Sequence, residues 1–310
     1  MKISLRHIAS VLFAGLLLLP LLGACRKETA CRTPDGRLRV MTGIPPLEWL
    51  ARQIAGDKAE VTTLLGRDAD PETFEPSMKQ LTDLQNSAVY FAVGGLPFEE
   101  SAVRKVKEGF PGLRVIDTAQ GVERLHGGHS HSHSHEAHGH SQGEEEESFD
   151  PHVWTSVASA RVMASNICNT LSALDPANAQ AYRRNLDALN LRLDTLSRQL
   201  DSIMAPARGA TFITGHPSLS YFARDYGLHQ LSLEQGGKEV TPERLARLCD
   251  EALADRASVI IYDASSSPSQ LEAVAEDLKL PMRRTEILSS SSWPEAMLQT
   301  ARAISSSLKK

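Results

Sequence analysis

Four residues of this sequence, Glu72, His152, His216 and Asp263, have side chains that can together bind a divalent metal ion. Imidazole nitrogen and carboxylate oxygen are ordinary ligands of zinc, and two of each make a complete four-coordinate set. Glu72, His216 and Asp263 each follow a short β-branched run, whereas His152 begins a helical region. Because ligands of open α/β sheets bind beyond the carboxyl ends of the strands, we expect these side chains to meet there.

Each of these residues also has a simpler interpretation when it is taken alone. Asp263 could cap the next helix, and His216 could be a turn residue at the surface. Glu72 could be solvated, which is the usual fate of a glutamate, and His152 could pack beside Trp154. The four placements together, close to a histidine-rich tract, favour the metal site over the separate explanations.

The histidine-rich tract lies just ahead of His152 and is interleaved with Gly and Ser. Its histidines are His126, His129, His131, His133, His135, His138 and His140. Four consecutive glutamates, residues 144–147, follow them. Such a composition does not form a packed core, so we expect a flexible surface loop over residues 121–148. Its imidazoles should bind further metal ions weakly, because each capture must order the chain.

The N-terminal residues have the pattern of an export signal. Lys2 and Arg6 precede an apolar run over residues 8–22, and Leu-Gly-Ala-Cys ends at Cys25. The run is short for a bilayer span, and the small residues are typical of a cleavage site. This ending resembles a bacterial lipobox, which implies removal of residues 1–24, lipidation of Cys25 and a tether over residues 25–36. The alternatives are an ordinary signal peptide with an incidental cysteine, or a transmembrane anchor.

The charge and the cysteines of the mature chain exclude some classes of function. Removal of the two basic residues of the leader changes the formal net charge from −5 to −7, and no basic cluster follows Lys27. Nucleic acids and acidic lipid headgroups are therefore poor partners. Cys31, Cys168 and Cys249 lack the paired spacing of a zinc knuckle. Cys168 and Cys249 could form a disulfide, but the odd number of cysteines leaves this open.

Short apolar runs alternate with amphipathic segments of helical length, which predicts α/β lobes with parallel sheets. The predicted strands are residues 38–41, 61–65, 89–93, 113–116, 211–214, 231–233, 259–262 and 283–287. The predicted helices are residues 45–55, 98–107, 155–173, 176–204 and 218–226, with further helix starts at Ser77, Thr241, Ser267 and Ser292.

The sequence predicts two lobes joined by one long helix. We expect an N-terminal lobe over residues 37–174, a linking helix over residues 175–205 and a C-terminal lobe over residues 206–310. Leucines recur every three or four residues along the linking segment, as in an amphipathic helix. A coiled coil is the competing interpretation, but the pattern contains no sustained heptads.

Several motifs resemble those of a known family. Residues 150–154, Asp-Pro-His-Val-Trp, are similar to its second metal-ligand block, and residues 215–218, with 221–223 and 226–228, to its third. Residues 239–242 and the strand that ends near Asp263 resemble the region of the fourth ligand. The family is the cluster A-I solute-binding lipoproteins of bacterial zinc and manganese ABC transporters, and the resemblance covers residues 38–310. The histidine-rich loop is typical of its zinc-specific, ZnuA-like branch.

The resemblance implies a metal site in the cleft between the lobes, with Glu72, His152, His216 and Asp263 as ligands. One position departs from the family pattern. Residues 70–77 are similar to the first ligand block, in which histidine usually stands at the third position, but this chain has Glu72. Carboxylates shift preference towards harder cations, so manganese is an alternative to zinc. His216 and the histidine-rich loop favour zinc.

We therefore expect a monomeric, membrane-anchored protein outside the cytoplasm that captures zinc and delivers it to an inner-membrane permease. The main alternative is a zinc-dependent hydrolase with Glu75 or Asp70 as general base. No His-Glu-x-x-His helix is present in the sequence, and four protein ligands leave no required open position for water. A surface adhesin is a further alternative, and the sequence does not test it.

Overall fold

Within the described residues, eight strands form two parallel sheets of four strands each. The computed structural model describes residues 31–67, 69–71, 73–126, 149–234, 240–263 and 269–308. The first sheet has the order β2-β1-β3-β4 and the second β6-β5-β7-β8. The strands of the first are β1 Leu38–Thr42, β2 Ala59–Thr63, β3 Val89–Ala92 and β4 Val115–Asp117. Those of the second are β5 Thr211–Thr214, β6 His229–Ser232, β7 Ile260–Asp263 and β8 Met282–Thr285.

Helices connect the strands, as parallel pairing requires. In the first lobe these are α1 Pro45–Ala55, α2 Met78–Gln85, α3 Pro97–Gly109 and α4 Val157–Leu174. The long helix α5 spans Ala179–Met204. In the second lobe they are α6 Ser220–Tyr226, α7 Pro242–Ala254, α8 Ser269–Leu278 and α9 Trp293–Ser305. Single 3-10 turns occupy Val153–Thr155, Pro176–Asn178 and Ala205–Ala207.

The predicted α/β class and the parallel sheets are confirmed, with local differences at the element ends. The helix Pro45–Ala55 and the strand Thr211–Thr214 have the predicted bounds. The second strand begins two residues before the predicted start and ends at Thr63. Asp263 is the last residue of β7, not the first residue after it. These shifts arise because strand pairing with a neighbour, and not only side-chain pattern, sets where a strand begins and ends.

Two predicted helix starts have different outcomes. Ser77 and Gln80 form both bonds of a capping box at α2, so that prediction is confirmed. Ser292 precedes α9 as expected, but its side chain makes no capping hydrogen bond. The predicted box at Ser267 lies outside the described residues, and so do residues 1–30, which contain the leader and Cys25.

Helix α5 has one apolar face that is buried along its length. The buried side chains are Tyr182, Leu189, Leu193, Leu196, Leu200 and Met204. Their spacing of three, four or seven residues places them on one side of the helix. The helix packs against α1 and α4 of the first lobe and against α9 at the C-terminus. With 26 residues it is about 39 Å long, enough to run alongside a whole lobe.

One apolar core extends through both lobes. It contains Val40 and Phe91 from the first sheet and Phe212 and Ile261 from the second. A smaller cluster, which includes Ile213 and other buried residues, covers the opposite face of the second sheet. The lobes are therefore joined by packed side chains and not only by the chain itself.

The three tryptophans of the chain lie close together in this core. The indole N–H of Trp293 donates a hydrogen bond of 2.9 Å to the backbone carbonyl of Trp154. The ring of Trp49 packs against Trp293, with 5.7 Å between the ring centroids. Trp293 belongs to the C-terminal helix α9, so the C-terminus is tied to the segment that carries His152.

Cys168 and Cys249, the possible disulfide pair, are both free thiols. Cys168 is buried in α4 and Cys249 lies in α7. Among the described residues, no helix is both long enough and apolar enough to cross a membrane.

We expect Leu200→Ala to lower the free energy of unfolding by about 2–5 kcal/mol, because it leaves a cavity in the core. Leu200 is completely buried on α5, whereas Leu191 on the same helix is 70% exposed. Leu191→Ala is therefore the matched control, and its effect should stay within about 0.5 kcal/mol. Chemical denaturation of the metal-free protein measures both. Equal effects would contradict the assignment of the buried face.

Candidate metal site

His216 and Asp263 lie at the same level of the second sheet because of the register of two strands. Thr214 in β5 pairs with Ile261 in β7. His216 and Asp263 each stand two residues further along their chains. Both side chains are partly buried and line the same cleft. The carboxyl ends of the strands therefore deliver an imidazole and a carboxylate to one place, as the sequence predicted.

Strand β6 adds a second carboxylate on the other side of His216. Thr214 also pairs with Ser232, so Glu234 stands two residues beyond that pair. The ladder continues past the strands, since the N–H of Glu234 donates to the carbonyl of Gly215 at 2.9 Å. His216 Nδ1 lies 3.0 Å from Glu234 Oε2. Three neighbouring strands thus align Glu234, His216 and Asp263 in one row.

His152 reaches the cleft from the segment that follows the histidine-rich tract. It immediately precedes the 3-10 turn Val153–Thr155 and is only 5% exposed. Asp150 Oδ1 accepts two hydrogen bonds, one from the backbone N–H of His152 at 2.8 Å and one from its Nδ1 at 2.7 Å. The ring of Trp154 packs against the imidazole with 5.0 Å between centroids. Both the backbone and the ring of His152 are therefore held in place.

A cleft of about 410 Å³ lies between the lobes and is lined by these residues. His152, His216, Glu234 and Asp263 form part of its wall, together with apolar side chains such as Leu288. This is the one place in the described structure where the predicted ligands of both lobes meet. Its location at the ends of the strands agrees with the expected position.

The first lobe contributes the loop after β2 to the wall of the cleft. Asp70 and Pro71 line it, and Glu72 follows them but lies outside the described residues. Arg67 in the same loop donates hydrogen bonds to two backbone carbonyls of the second lobe. The acceptors are Ser289, at 3.3 Å, and Ser290. The loop that carries the predicted Glu72 ligand is thus attached to the opposite lobe.

Both carboxylates beside the histidines have lowered pKa values. Burial raises the pKa of Asp150, but the hydrogen bonds from His152 and the charge of that ring outweigh it. The hydrogen bond from His216 lowers the pKa of Glu234, against the opposing effect of partial burial. Both groups are therefore anionic at neutral pH. Each can accept the proton that its histidine carries on Nδ1.

The arrangement of the two imidazoles fits a shared metal ion. Because Nδ1 of each ring faces a carboxylate, Nε2 is the nitrogen through which each would bind. With Zn–N bonds of about 2.1 Å and a tetrahedral angle, the centroids of two such rings lie about 5 Å apart. The observed separation between the His152 and His216 rings is 5.0 Å. Among the residues that the structure describes, which do not include Glu72, no three His, Cys, Asp or Glu side chains form a metal cage.

Three of the four predicted ligands, His152, His216 and Asp263, line the same cleft. Of the histidine-rich tract, only His126 is described. It forms an isolated antiparallel bridge with Phe149, and the two rings stack with 5.6 Å between centroids. His129, His131, His133, His135, His138 and His140 lie outside the described residues.

Sequence reasoning assigned no role to Asp150 or Glu234. Asp150 could have been found, because it stands two residues before His152 within a motif that was already singled out. Glu234 had no such signal. Its position beside His216 depends on β6 being the neighbour of β5, and strand order is not visible in the local sequence.

Comparison with known proteins gives matches over most of the chain. The profile of the family described as "ZnuA: Zinc-uptake complex component A periplasmic" matches residues 40–307. The chain is similar to the high-affinity zinc uptake system protein ZnuA of Bacillus subtilis, with 27% identity over 282 residues. That alignment covers 90% of this chain and 86% of the relative.

Two further similarities extend this result. The zinc-binding lipoprotein AdcA of Streptococcus pneumoniae strain R6 is 27% identical over 272 residues, which is 86% of this chain. The match covers 52% of AdcA, so the chain spans about half the length of that relative. A crystal structure of ZnuA superposes with a TM-score of 0.77 at 29% identity, covering 87% of this chain and 99% of the other.

We expect Asp150→Ala to lower the free energy of unfolding of the metal-free protein by about 1–3 kcal/mol. The change leaves the backbone N–H and the ring of buried His152 without their common acceptor. Asp57→Ala, at an exposed carboxylate, is the control and should change stability by less than about 0.5 kcal/mol. Urea denaturation with both variants measures the difference. An effect of Asp150→Ala as small as that of the control would show that this pairing does not stabilise the segment.

Proposed function

This chain belongs to the family of zinc-uptake complex component A, and on that basis we propose that it captures zinc outside the cytoplasm and delivers it to an ABC-transporter permease. The observation that carries the proposal is the approach of His152 and His216, whose ring centroids are 5.0 Å apart in the cleft. One ring comes from the segment after the first sheet and the other from the second sheet. A metal ion bound by both would therefore connect the two lobes.

We propose Glu72, His152, His216 and Asp263 as the four ligands. Asp70 and Pro71 line the cleft, which supports the placement of the adjacent Glu72 close to it. Imidazole nitrogen suits zinc, and affinity at a given site favours zinc over manganese. The proposed set contains two carboxylates, Glu72 and Asp263, and carboxylate ligands also suit manganese. The experiment below therefore includes both metals.

The proposed role is binding and transfer, not catalysis. Four protein ligands complete the coordination of zinc and leave no position that must be filled by a reactive water. The carboxylates of Asp150 and Glu234 accept hydrogen bonds from the rings. A hydrolytic site would instead require a base directed at a metal-bound water.

Release of the ion requires the two lobes, or the loops between them, to move apart. We propose that residues 37–174 and 206–310 act as the lobes and residues 175–205 as the link. Helix α5 packs on both α1 and α9, so large hinge rotation would disrupt many buried contacts. Release therefore involves a modest lobe movement or displacement of the loop that contains Arg67 and Asp70.

Export and anchoring complete the proposal. Removal of residues 1–24 and lipidation of Cys25 would hold a monomer on the outer side of a membrane, next to its permease. The basic start, the apolar run and the Leu-Gly-Ala-Cys ending support this. The histidines at positions 126 to 140 would bind additional zinc weakly and raise its concentration near the cleft.

We expect the mature protein to bind one zinc ion tightly, and His152→Ala, His216→Ala and Glu72→Ala to weaken this binding about 100-fold or more. That loss corresponds to about 2.8 kcal/mol of binding free energy. Each change removes one coordinating group, and Glu72→Ala also removes a compensating charge. Competition of the protein with a zinc chelator, together with calorimetry, measures the affinity.

Two controls make this titration specific. His229→Ala removes an exposed histidine in β6 and should leave the affinity unchanged. A variant that lacks residues 127–147 should keep the tight site and lose only weaker binding. Loss of the tight site in the deletion variant would place it in the histidine-rich loop, and the four-ligand proposal would be wrong.

We expect Glu72→His to retain tight zinc binding and to weaken manganese binding, because imidazole suits zinc and carboxylate suits manganese. Parallel titrations of wild type and variant with Zn²⁺ and Mn²⁺ measure the change in preference. If Glu72 is not a ligand, the ratio of the two affinities will be the same in both proteins.

A further inference from the structure

Glu234 is a carboxylate at the metal site that neither the sequence motifs nor the proposed ligand set includes. Its Oε2 lies 3.0 Å from Nδ1 of His216. The backbone on which it stands is fixed by the β5–β6 ladder, since the N–H groups of Leu233 and Glu234 donate to Thr214 and Gly215. The carboxylate is therefore built into the same sheet that presents His216.

His216 has less support from packing than His152. The side chain of His152 is 7% exposed and is held between Asp150 and Trp154, whereas that of His216 is 29% exposed. A partly exposed imidazole can rotate, and rotation would move Nε2 away from a shared metal ion. The hydrogen bond that Nδ1 of His216 donates to Glu234 limits that rotation. It also favours the tautomer with the proton on Nδ1, which leaves the Nε2 lone pair for the metal.

We propose that Glu234 is a positioning residue that acts on the metal through His216, fixing the orientation and tautomer of that ring. This inference rests on the proposed function, in which His216 is a ligand. Glu234 and His216 then form a carboxylate–imidazole pair in the second lobe. The pair formed by Asp150 and His152, which lies next to it, is of the same kind. Each imidazole of the site has a carboxylate from its own segment or sheet.

If Glu234 only stabilised the fold, its removal would lower the stability of the protein. A positioning role predicts a different result. Glu234 and His216 are both partly exposed, and an ion pair or hydrogen bond in such a place contributes little to stability. Removal of the carboxylate should thus leave the folded protein nearly as stable as before. Its effect should instead appear in the affinity for metal, where loss of a partner that orients a ligand typically costs about 10–100-fold.

The decisive experiment is a double-mutant cycle on zinc affinity with Glu234→Ala, His216→Ala and the double variant. We expect Glu234→Ala alone to weaken zinc binding about 10–100-fold. In the His216→Ala background it should have no further effect beyond about twofold, because a positioning residue acts only through the group that it positions. Glu234→Gln keeps an acceptor oxygen and should recover part of the loss. Glu276→Ala removes an exposed carboxylate of the same lobe on α8 and should leave the affinity unchanged.

A second measurement does not require zinc binding. Long-range ¹H–¹⁵N NMR of the metal-free protein, at a pH of about 8.5 where an ordinary histidine is neutral, reports the tautomer of His216. We expect the Nδ1–H form in the wild type and a shift towards Nε2–H in Glu234→Ala. Thermal unfolding of the metal-free variants should show similar stability.

The possible outcomes distinguish failure of the proposed function from failure of the positioning role of Glu234. A wild type that binds no zinc would overturn the proposed function, while the tautomer measurement would still test the link between Glu234 and His216. A wild type that binds tightly with an unaffected Glu234→Ala variant, or an unchanged tautomer, would overturn the positioning role alone. An equal loss in the wild-type and His216→Ala backgrounds would make Glu234 a direct ligand and would also overturn it.

Discussion

Parallel strands that pair in register deliver residues at equal distances beyond the last pair to the same edge of a sheet. In the second lobe this relation holds for three adjacent strands, and the residues at that distance are Glu234, His216 and Asp263. The register is itself fixed by burial, because Ile213 and Ile260 must face the apolar cluster on one side of the sheet. A slip of one residue would turn the whole row to the opposite face. Apolar packing on one face of the sheet thus determines the chemistry at its edge.

The other half of the site depends on contacts between lobes. The hydroxyl of Tyr221 in α6 donates to the backbone carbonyl of Asp150 at 2.8 Å and accepts from the N–H of Leu125 at 3.0 Å. Trp293 holds the carbonyl of Trp154 from the C-terminal helix. The segment that carries His152 is therefore fixed at both ends by residues of the second lobe. These contacts hold the imidazole of His152 at the distance from His216 that a shared ion requires. The two histidines are far apart in the sequence, since α4 and α5 lie between them.

Much of this arrangement follows from local sequence. Proline at the first turn and a regular apolar spacing determine helices such as Pro45–Ala55, and β-branched runs determine buried strands such as Thr211–Thr214. The same reasoning located His216 and Asp263, because a residue at or just beyond the carboxyl end of a strand has only one edge of the sheet at which to lie. It did not find Glu234, whose partner is set by strand order, nor the return of α9 to pack on α5. Both depend on which elements become neighbours, and that is decided by the packing of the whole core.

The clustering of the tryptophans has an optical consequence. Trp154 contacts the imidazole of His152, Trp293 is hydrogen bonded to Trp154, and Trp49 packs against Trp293. Since the chain contains three tryptophans, all of its indole emission comes from one connected group that begins at the wall of the cleft. Excitation absorbed by any of the three rings can pass to the others over such short separations. The protein therefore contains an intrinsic fluorescent reporter of the surroundings of His152, which needs no label and no additional chromophore.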